Sequence, residues 1–214
     1  MSAERVVVLR HGRTGHNLRH VWQGQLDVPL DDVGVRQAEA AAPLLARLAP
    51  VAIVASDLVR ASATADVVAA VAGVPVTLDP RLREFDVGRW QGLTRAEIAA
   101  TDDGDLLAAW RRGDDVPIGG AERPTELGRR GAQALREHVE KVDGGTLLVV
   151  AHGALLRNTV MDLLGIAQPQ WKLLAGLPNC GWGVLEPGHP TWRLLAWGVT
   201  APELDGDAPR AVPG

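Results

Sequence analysis

Val6-Val7-Val8-Leu9-Arg10-His11-Gly12 is the stretch on which the reading of this chain turns. Four apolar residues closed by a polar pair and a glycine form the pattern of a buried strand running into a turn. The pattern returns at Leu147-Leu148-Val149-Val150-Ala151-His152-Gly153, so two histidines stand at two strand ends. In open α/β sheets ligands gather outside the carboxyl ends of the strands. Two imidazoles delivered there, each followed by a glycine that lets backbone approach a ligand, point to a phosphate-handling site.

Working outward, strands and helices alternate. Gly12 to Pro29 is a polar loop of a length usually reserved for function. Asp31 or Asp32 caps a helix running to about Leu48 with Pro43 inside it, followed by a strand at Val51 to Ala55. A helix at Leu58 to Ala72 and a strand at Val74 to Leu78 come next. Arg81 to Arg123 is irregular, with a capping box at Thr94-x-x-Glu97 and a short helix near Leu106 to Arg112. Helices at Thr125 to Val142 and Leu155 to Leu164 flank the second histidine strand, and Trp182 to Leu185 and Trp192 to Trp197 read as late strands. This order predicts an α/β fold, a three-layer sandwich with a mainly parallel central sheet. Residues 1–201 read as one domain, and 202–214, rich in Asp, Gly and Pro, as a frayed, flexible tail.

Composition narrows the function classes. With 214 residues, 46% hydrophobic and 22% charged, the chain has the makings of one soluble globular core. A net charge of −4, without a run of five basic residues, argues against a nucleic-acid partner. Only Lys141 and Lys172 are lysines, so 20 of the 22 basic residues are arginine. Arginine forks suit anionic substrates, although a GC-rich genome accounts for most of that bias. The lone Cys180 excludes an intrachain disulfide and fits a reducing, cytoplasmic setting. Met1 to Arg5 leads into a strand without a signal-peptide core, and no apolar stretch reaches the ~18 residues of a membrane span.

Four segments carry a resemblance when taken in order. They are Leu9-Arg10-His11-Gly12-Arg13-Thr14-Gly15-His16-Asn17, Ser56-Asp57-Leu58-Val59-Arg60-Ala61-Ser62-Ala63-Thr64-Ala65, Leu82-Arg83-Glu84-Phe85-Asp86-Val87-Gly88-Arg89-Trp90-Gln91-Gly92 and Val149-Val150-Ala151-His152-Gly153. To about Trp197 the chain resembles the histidine phosphatase superfamily, with its phosphoglycerate-mutase-like fold. The resemblance implies that His11 is a nucleophile that becomes phosphohistidine. It further implies that Arg10, Arg60 and His152 hold phosphoryl oxygens, with Asn17 and Gln23 as further polar contacts, and that Glu84 protonates the leaving oxygen. Phosphoryl transfer needs an in-line nucleophile, cations around the equatorial oxygens and a proton donor. Nearby arginines should lower the pKa of His11 and keep it neutral beside a protonated Glu84, which predicts a bell-shaped pH profile. Cationic side chains supply the charge stabilisation, so no metal and no cofactor is implied.

Gln23-Gly24-Gln25-Leu26-Asp27, Trp90-Gln91-Gly92-Leu93-Thr94 and Trp192-Arg193-Leu194 with Trp197 further resemble phosphatases of glycosylated glycerate phosphates. A small phosphorylated sugar or glycerate is the substrate thereby implied, and a homodimer the assembly. Two departures touch the pocket: Gly119-Gly120 is followed by Ala121, with Glu122 one place late, and His16 replaces the usual aromatic residue before Asn17. Duller readings compete. Asp86 rivals Glu84 as the loop carboxylate, where the match to Leu-x-Glu favours Glu84. Arg60 has a helix-surface reading, against which its place at a helix start just after a strand favours the site. His16 and His20 have metal-ligand spacing only if helical, without a third ligand. Trp90 and Trp110 read as packing residues rather than sugar platforms. A mutase that returns the phosphoryl group to the substrate, or a non-catalytic phospholigand binder, are the rival functions. No Gly-x-x-x-x-Gly-Lys-Ser/Thr motif is present for P-loop chemistry.

Overall fold

The two strands that end in histidine lie side by side. In the computed structural model, which describes residues 2–188 and 191–202, β1 (Arg5–Arg10) pairs in parallel with β4 (Thr146–Ala151), Arg10 opposite Ala151. The expected tail lies outside the described residues from 203 onward. Around this pair run β2 (Pro50–Ala55), β3 (Val76–Leu78), β5 (Trp182–Glu186) and β6 (Arg193–Val199), in the sheet order β3-β2-β4-β1-β5-β6. The first four are parallel, and the late pair is antiparallel. The chain leaves β1 toward β2 and leaves β4 toward β5, in opposite directions across the sheet. Such a reversal opens a crevice at the carboxyl ends of the two strands, where His11 and His152 stand.

Side-chain alternation along β1 and β4 builds the three layers. Val6, Val8, Leu147 and Val149 share a buried cluster with Leu127 and Leu135 of α6 (Pro124–Lys141) and Leu155 and Leu156 of α7 (Gly153–Leu163). Val7, Leu9, Leu148 and Val150 face the other way, onto Ala38, Ala41 and Leu45 of α2 (Asp32–Ala46) and Ala65 and Val68 of α3 (Val59–Ala72). Truncating a strand-centre leucine such as Leu148 to alanine would cost about 2–5 kcal/mol. Asp31 caps α2 by accepting from Gly34 N at 2.8 Å, and Pro43 sits inside that helix, both as expected.

Two expectations need correction. The Gly12–Pro29 segment is not wholly loop: it holds α1 (Gly15–Leu18), closed by a reciprocal box between Thr14 and Asn17. Asparagine replaces the Glu or Gln of the usual box, which hides the signal. Gly12 serves close packing of backbone on backbone rather than approach to a ligand. A Cβ there would fall 2.4 Å from Gly34 O, and one on Gly34 would fall 2.1 Å from Arg13 O. In the irregular region, the Thr94–Glu97 box opens α4 (Arg95–Ala99), and α5 (Gly104–Arg112) follows. Asp103 ties the region together by accepting from Arg89 Nε and Trp90 Nε1, each at 2.6 Å. Of the late tryptophans, Trp182 and Trp192 are buried and Trp197 half-buried, so an exposed tryptophan patch does not form; β6 is nevertheless a sheet edge.

Candidate active site

His11 extends the β1–β4 ladder by one step, its N–H donating to Ala151 O at 3.0 Å. Its imidazole is 3% exposed and meets that of His152 edge-on, with ring centroids 5.2 Å apart. Nδ1 of His11 lies 2.6 Å from Gly12 O. A carbonyl can only accept, so Nδ1 carries the proton and Nε2 keeps its lone pair. Burial first, then the Arg10 and Arg60 cations, hold the pKa of His11 well below its ordinary 6.5. The direction is the one expected, with burial rather than the arginines as its larger cause. His152 is driven down in the same sense by burial, Arg60 and His11. Its Nε2 is 2.8 Å from Ser56 Oγ, and its buried Nδ1 has no hydrogen-bond partner among the described residues.

The two arginines anchor their forks on carbonyl groups. Arg60, in the first turn of α3 and 1% exposed, donates to Leu26 O at 2.6 Å and Gly24 O at 2.8 Å. Burial lowers its pKa to about 10, against the pull of Glu84 and Asp27, which leaves it charged at neutrality. Arg10 donates from Nη1 to Leu177 O at 2.6 Å. Gly153 makes room for it, since a Cβ there would lie 3.3 Å from Arg10 Nε. In both residues Nε is buried and unpartnered. Buried donors are rarely left unpaired in proteins, so these mark an anion-receptive wall.

Asn17 and Gln23 have their amide orientations set by Thr14. Asn17 Oδ1 accepts from Thr14 N at 3.1 Å, and Gln23 Oε1 accepts from Thr14 Oγ1 at 2.9 Å. With the oxygens so occupied, the amide NH2 groups are the ends available as donors. Thr64 supports the turn from α3, accepting from Gly12 N at 3.1 Å.

Glu84 comes from the irregular region. Its Oε1 accepts from Phe85 N and Leu155 N, both at 2.9 Å, and its Oε2 from Ala154 N at 3.1 Å. It thereby caps α7, whose N-cap residue His152 makes no side-chain cap. The rival Asp86 is exposed. Arg130 of α6 holds this segment, donating to Arg81 O at 2.7 Å and Arg83 O at 2.9 Å while paired with Glu122 at 2.9 Å. The late glutamate thus serves as the counter-ion of Arg130.

These groups surround one cavity of about 180 Å³. Arg10, His11, Asn17, Gln23, Arg60 and Glu84 all line it; His152 is not among the lining residues and reaches the site through its edge-on contact with His11. Val21, Trp22, Phe85, Val87 and Trp110 make its apolar side. Trp22 stacks edge-on against both Trp90 and Trp110, at 5.3 and 4.9 Å between centroids. Trp90 is buried packing as expected, whereas Trp110 also faces the cavity. Arg157 of α7 lines the cavity too, unanticipated from sequence. An arginine directly after the apolar run Ala154-Leu155-Leu156, one turn beyond His152-Gly153, was the available signal. His16 and His20 do not gather a metal site: among the described residues no group of three or more His, Cys, Asp or Glu is placed to hold a metal ion.

Comparison with known proteins agrees with this geometry. Residues 6–200 match the model of the histidine phosphatase superfamily (branch 1). A glucosyl-3-phosphoglycerate phosphatase of Mycolicibacterium vanbaalenii is 39% identical, over 94% of this chain and 97% of that protein. A solved mycobacterial glucosyl-3-phosphoglycerate phosphatase in complex with VO3 superimposes with a TM-score of 0.87 at 37% identity, covering 92% of this chain and 100% of that one. A probable phosphoglycerate mutase of Yersinia pestis is 32% identical, over 90% and 89%. The adjacent strand-end histidines, the arginine-lined cavity and the match along nearly the whole chain lead to one conclusion: this chain belongs to branch 1 of the histidine phosphatase superfamily and is a phosphomonoester hydrolase.

Proposed function

We propose that the chain hydrolyses a small phosphorylated sugar or glycerate, with glucosyl-3-phosphoglycerate as the leading candidate, through a phosphohistidine intermediate. The observation that carries this reading is the 2.6 Å contact of His11 Nδ1 with Gly12 O. It leaves Nε2 as the lone-pair nitrogen in a cavity that also holds Arg10, Arg60 and Glu84. In the first step His11 Nε2 bonds to phosphorus, the phosphorus–oxygen bond to the alcohol breaks, and the leaving oxygen takes a proton from Glu84. In the second, water attacks the phosphohistidine and returns a proton to Glu84, and the nitrogen–phosphorus bond breaks to release phosphate. Arg10 and Arg60 offset the charge on the equatorial oxygens, with Asn17 and Gln23 as amide donors. If the Ser56 hydroxyl donates to Nε2 of His152, the neutral ring carries its proton on Nδ1, a fifth donor for the same oxygens. These cations supply the charge that a metal ion supplies in other phosphoryl-transfer enzymes. The apolar wall of Trp22 and Trp110 suits the carbon skeleton of the alcohol.

The names of two relatives support glucosyl-3-phosphoglycerate as that alcohol's ester. A cytoplasmic setting and a homodimer belong to the same proposal; sedimentation at micromolar protein checks the second. A phosphate-release panel of glucosyl-3-phosphoglycerate, 3-phosphoglycerate, sugar phosphates, nucleotides and phosphopeptides tests the substrate. The glucosylated ester should give the highest kcat/KM. A higher value for a nucleotide or phosphopeptide would overturn the substrate assignment, and 2-phosphoglycerate formed in place of free phosphate would mark a mutase.

A further inference from the structure

We propose that Arg157 binds a carboxylate on the leaving-group side of the substrate, so that the preferred esters are phosphorylated hydroxy acids. The inference rests on the phosphatase reading above and adds to it a residue that selects the alcohol. Arg157 lies one helical turn beyond Ala154, and both residues line the cavity. Ala154 N–H holds Oε2 of Glu84, the carboxyl group assigned to the leaving oxygen. Arg157 therefore projects from the face of α7 beside the atom to which the alcohol remains attached.

Its pairing sets it apart from the other two cations. Arg10 and Arg60 each spend part of their forks on main-chain carbonyls, and it is their fields that bear on His11. Arg157 forms no ion pair among the described residues, and its Nε is buried without a hydrogen-bond partner. Its charged neighbour is Glu84. A half-buried guanidinium whose Nε is shut off from water without an acceptor is costly to maintain, and a planar fork of this kind fits a carboxylate in bidentate fashion.

Charge balance leads to the same group. The charged residues on the cavity wall are Arg10, Arg60, Arg157 and Glu84. His11 and His152 are both held neutral. When Glu84 carries the proton that it gives to the leaving oxygen, three positive charges remain. A phosphomonoester dianion matches two of them. One carboxylate matches the third.

The test compares 3-phosphoglycerate with glycerol 3-phosphate, which bears a hydroxymethyl group where the other bears its carboxylate. The wild-type protein should favour 3-phosphoglycerate by roughly 10- to 100-fold in kcat/KM, a range set by one charge-assisted pair. Arg157→Met should abolish that preference by lowering kcat/KM for 3-phosphoglycerate far more than for glycerol 3-phosphate, and Arg157→Lys should restore part of it. Equal losses on both esters, or no preference in the wild type, would overturn the proposal. Calorimetric titration of the same two esters onto His11→Ala, and onto His11→Ala/Arg157→Met, reads the discrimination without turnover. Should the wild type release phosphate from neither ester, these unglycosylated compounds are not its substrates and the binding comparison decides for Arg157. Tighter binding of 3-phosphoglycerate that disappears with Arg157 would still establish the carboxylate site, and equal binding of both esters would refute it.

Discussion

Glu84 Oε1 lies 2.9 Å from the main-chain nitrogen of Leu155, so a carboxylate from the irregular region closes the N-terminus of α7. The side chain assigned to proton transfer is also a helix cap, and the two duties separate by substitution. Glu84→Gln keeps an acceptor for the amides and loses the acid. Its kcat should fall by about 10²- to 10⁴-fold with little change in unfolding midpoint. Glu84→Ala should lose a further ~0.5–2 kcal/mol of stability in denaturant titrations. Equal stabilities for the two variants would contradict the capping role.

Ser56 and His152 form a second coupled pair, 2.8 Å apart and both buried. Ser56→Ala strands a ring nitrogen without a partner, at a cost of about 1–3 kcal/mol. It also frees the ring to place its proton on the other nitrogen. Activity should fall more than stability alone explains, and Ser56→Thr should recover part of it. Unchanged kcat/KM in Ser56→Ala would remove the serine from the account.

The two buried imidazoles make stability depend on pH. Both have folded-state pKa values well below 6.5, while in the unfolded chain each takes up a proton near that value. Below about pH 6.5 the unfolded state binds more protons, so stability falls as pH falls and levels off only at the depressed folded values. Urea unfolding at pH 7.5 and 5.5 should show the lower stability at 5.5, with a slope approaching two protons. A flat profile across that window would mean that the rings take up protons in the folded protein as readily as in the unfolded chain.

The contact between Gly12 and Gly34 is steric and admits no side chain. Gly12→Ala places a methyl group 2.4 Å from Gly34 O and should destabilise the protein by about 1–3 kcal/mol or more while displacing His11. Gly15→Ala, at a position where a Cβ meets nothing within 4 Å, is the matched control and should leave the unfolding midpoint in place.

Much of this architecture was legible in the residues themselves. Two apolar runs ending in His-Gly place both histidines at strand ends, and the parallel pairing of Arg10 with Ala151 brings them together. Glu84 was separable from Asp86 only through the family pattern; in the fold the distinction is that Glu84 reaches the amides of α7. What stayed hidden depends on non-local packing. The Thr14–Asn17 box departs from the usual residue types, and the Gly12–Gly34 contact joins segments with no sequence relation. Trp22 and Trp110 meet only when α5 folds over the early loop. Arg157 had a local signal, a charge closing the apolar run Ala154-Leu155-Leu156, but its cavity needs Glu84 and the loop after β1 to close around it.

Capture of the covalent intermediate tests the central claim most directly. The protein is mixed with a phosphomonoester, quenched in denaturant at alkaline pH, and weighed intact by mass spectrometry. The account predicts a species heavier by one phosphoryl group, stable to base and labile to acid, mapped to His11 and missing from His11→Ala. Phosphate release by His11→Ala at the wild-type rate, or a phosphoryl group mapped to any other residue, would contradict it.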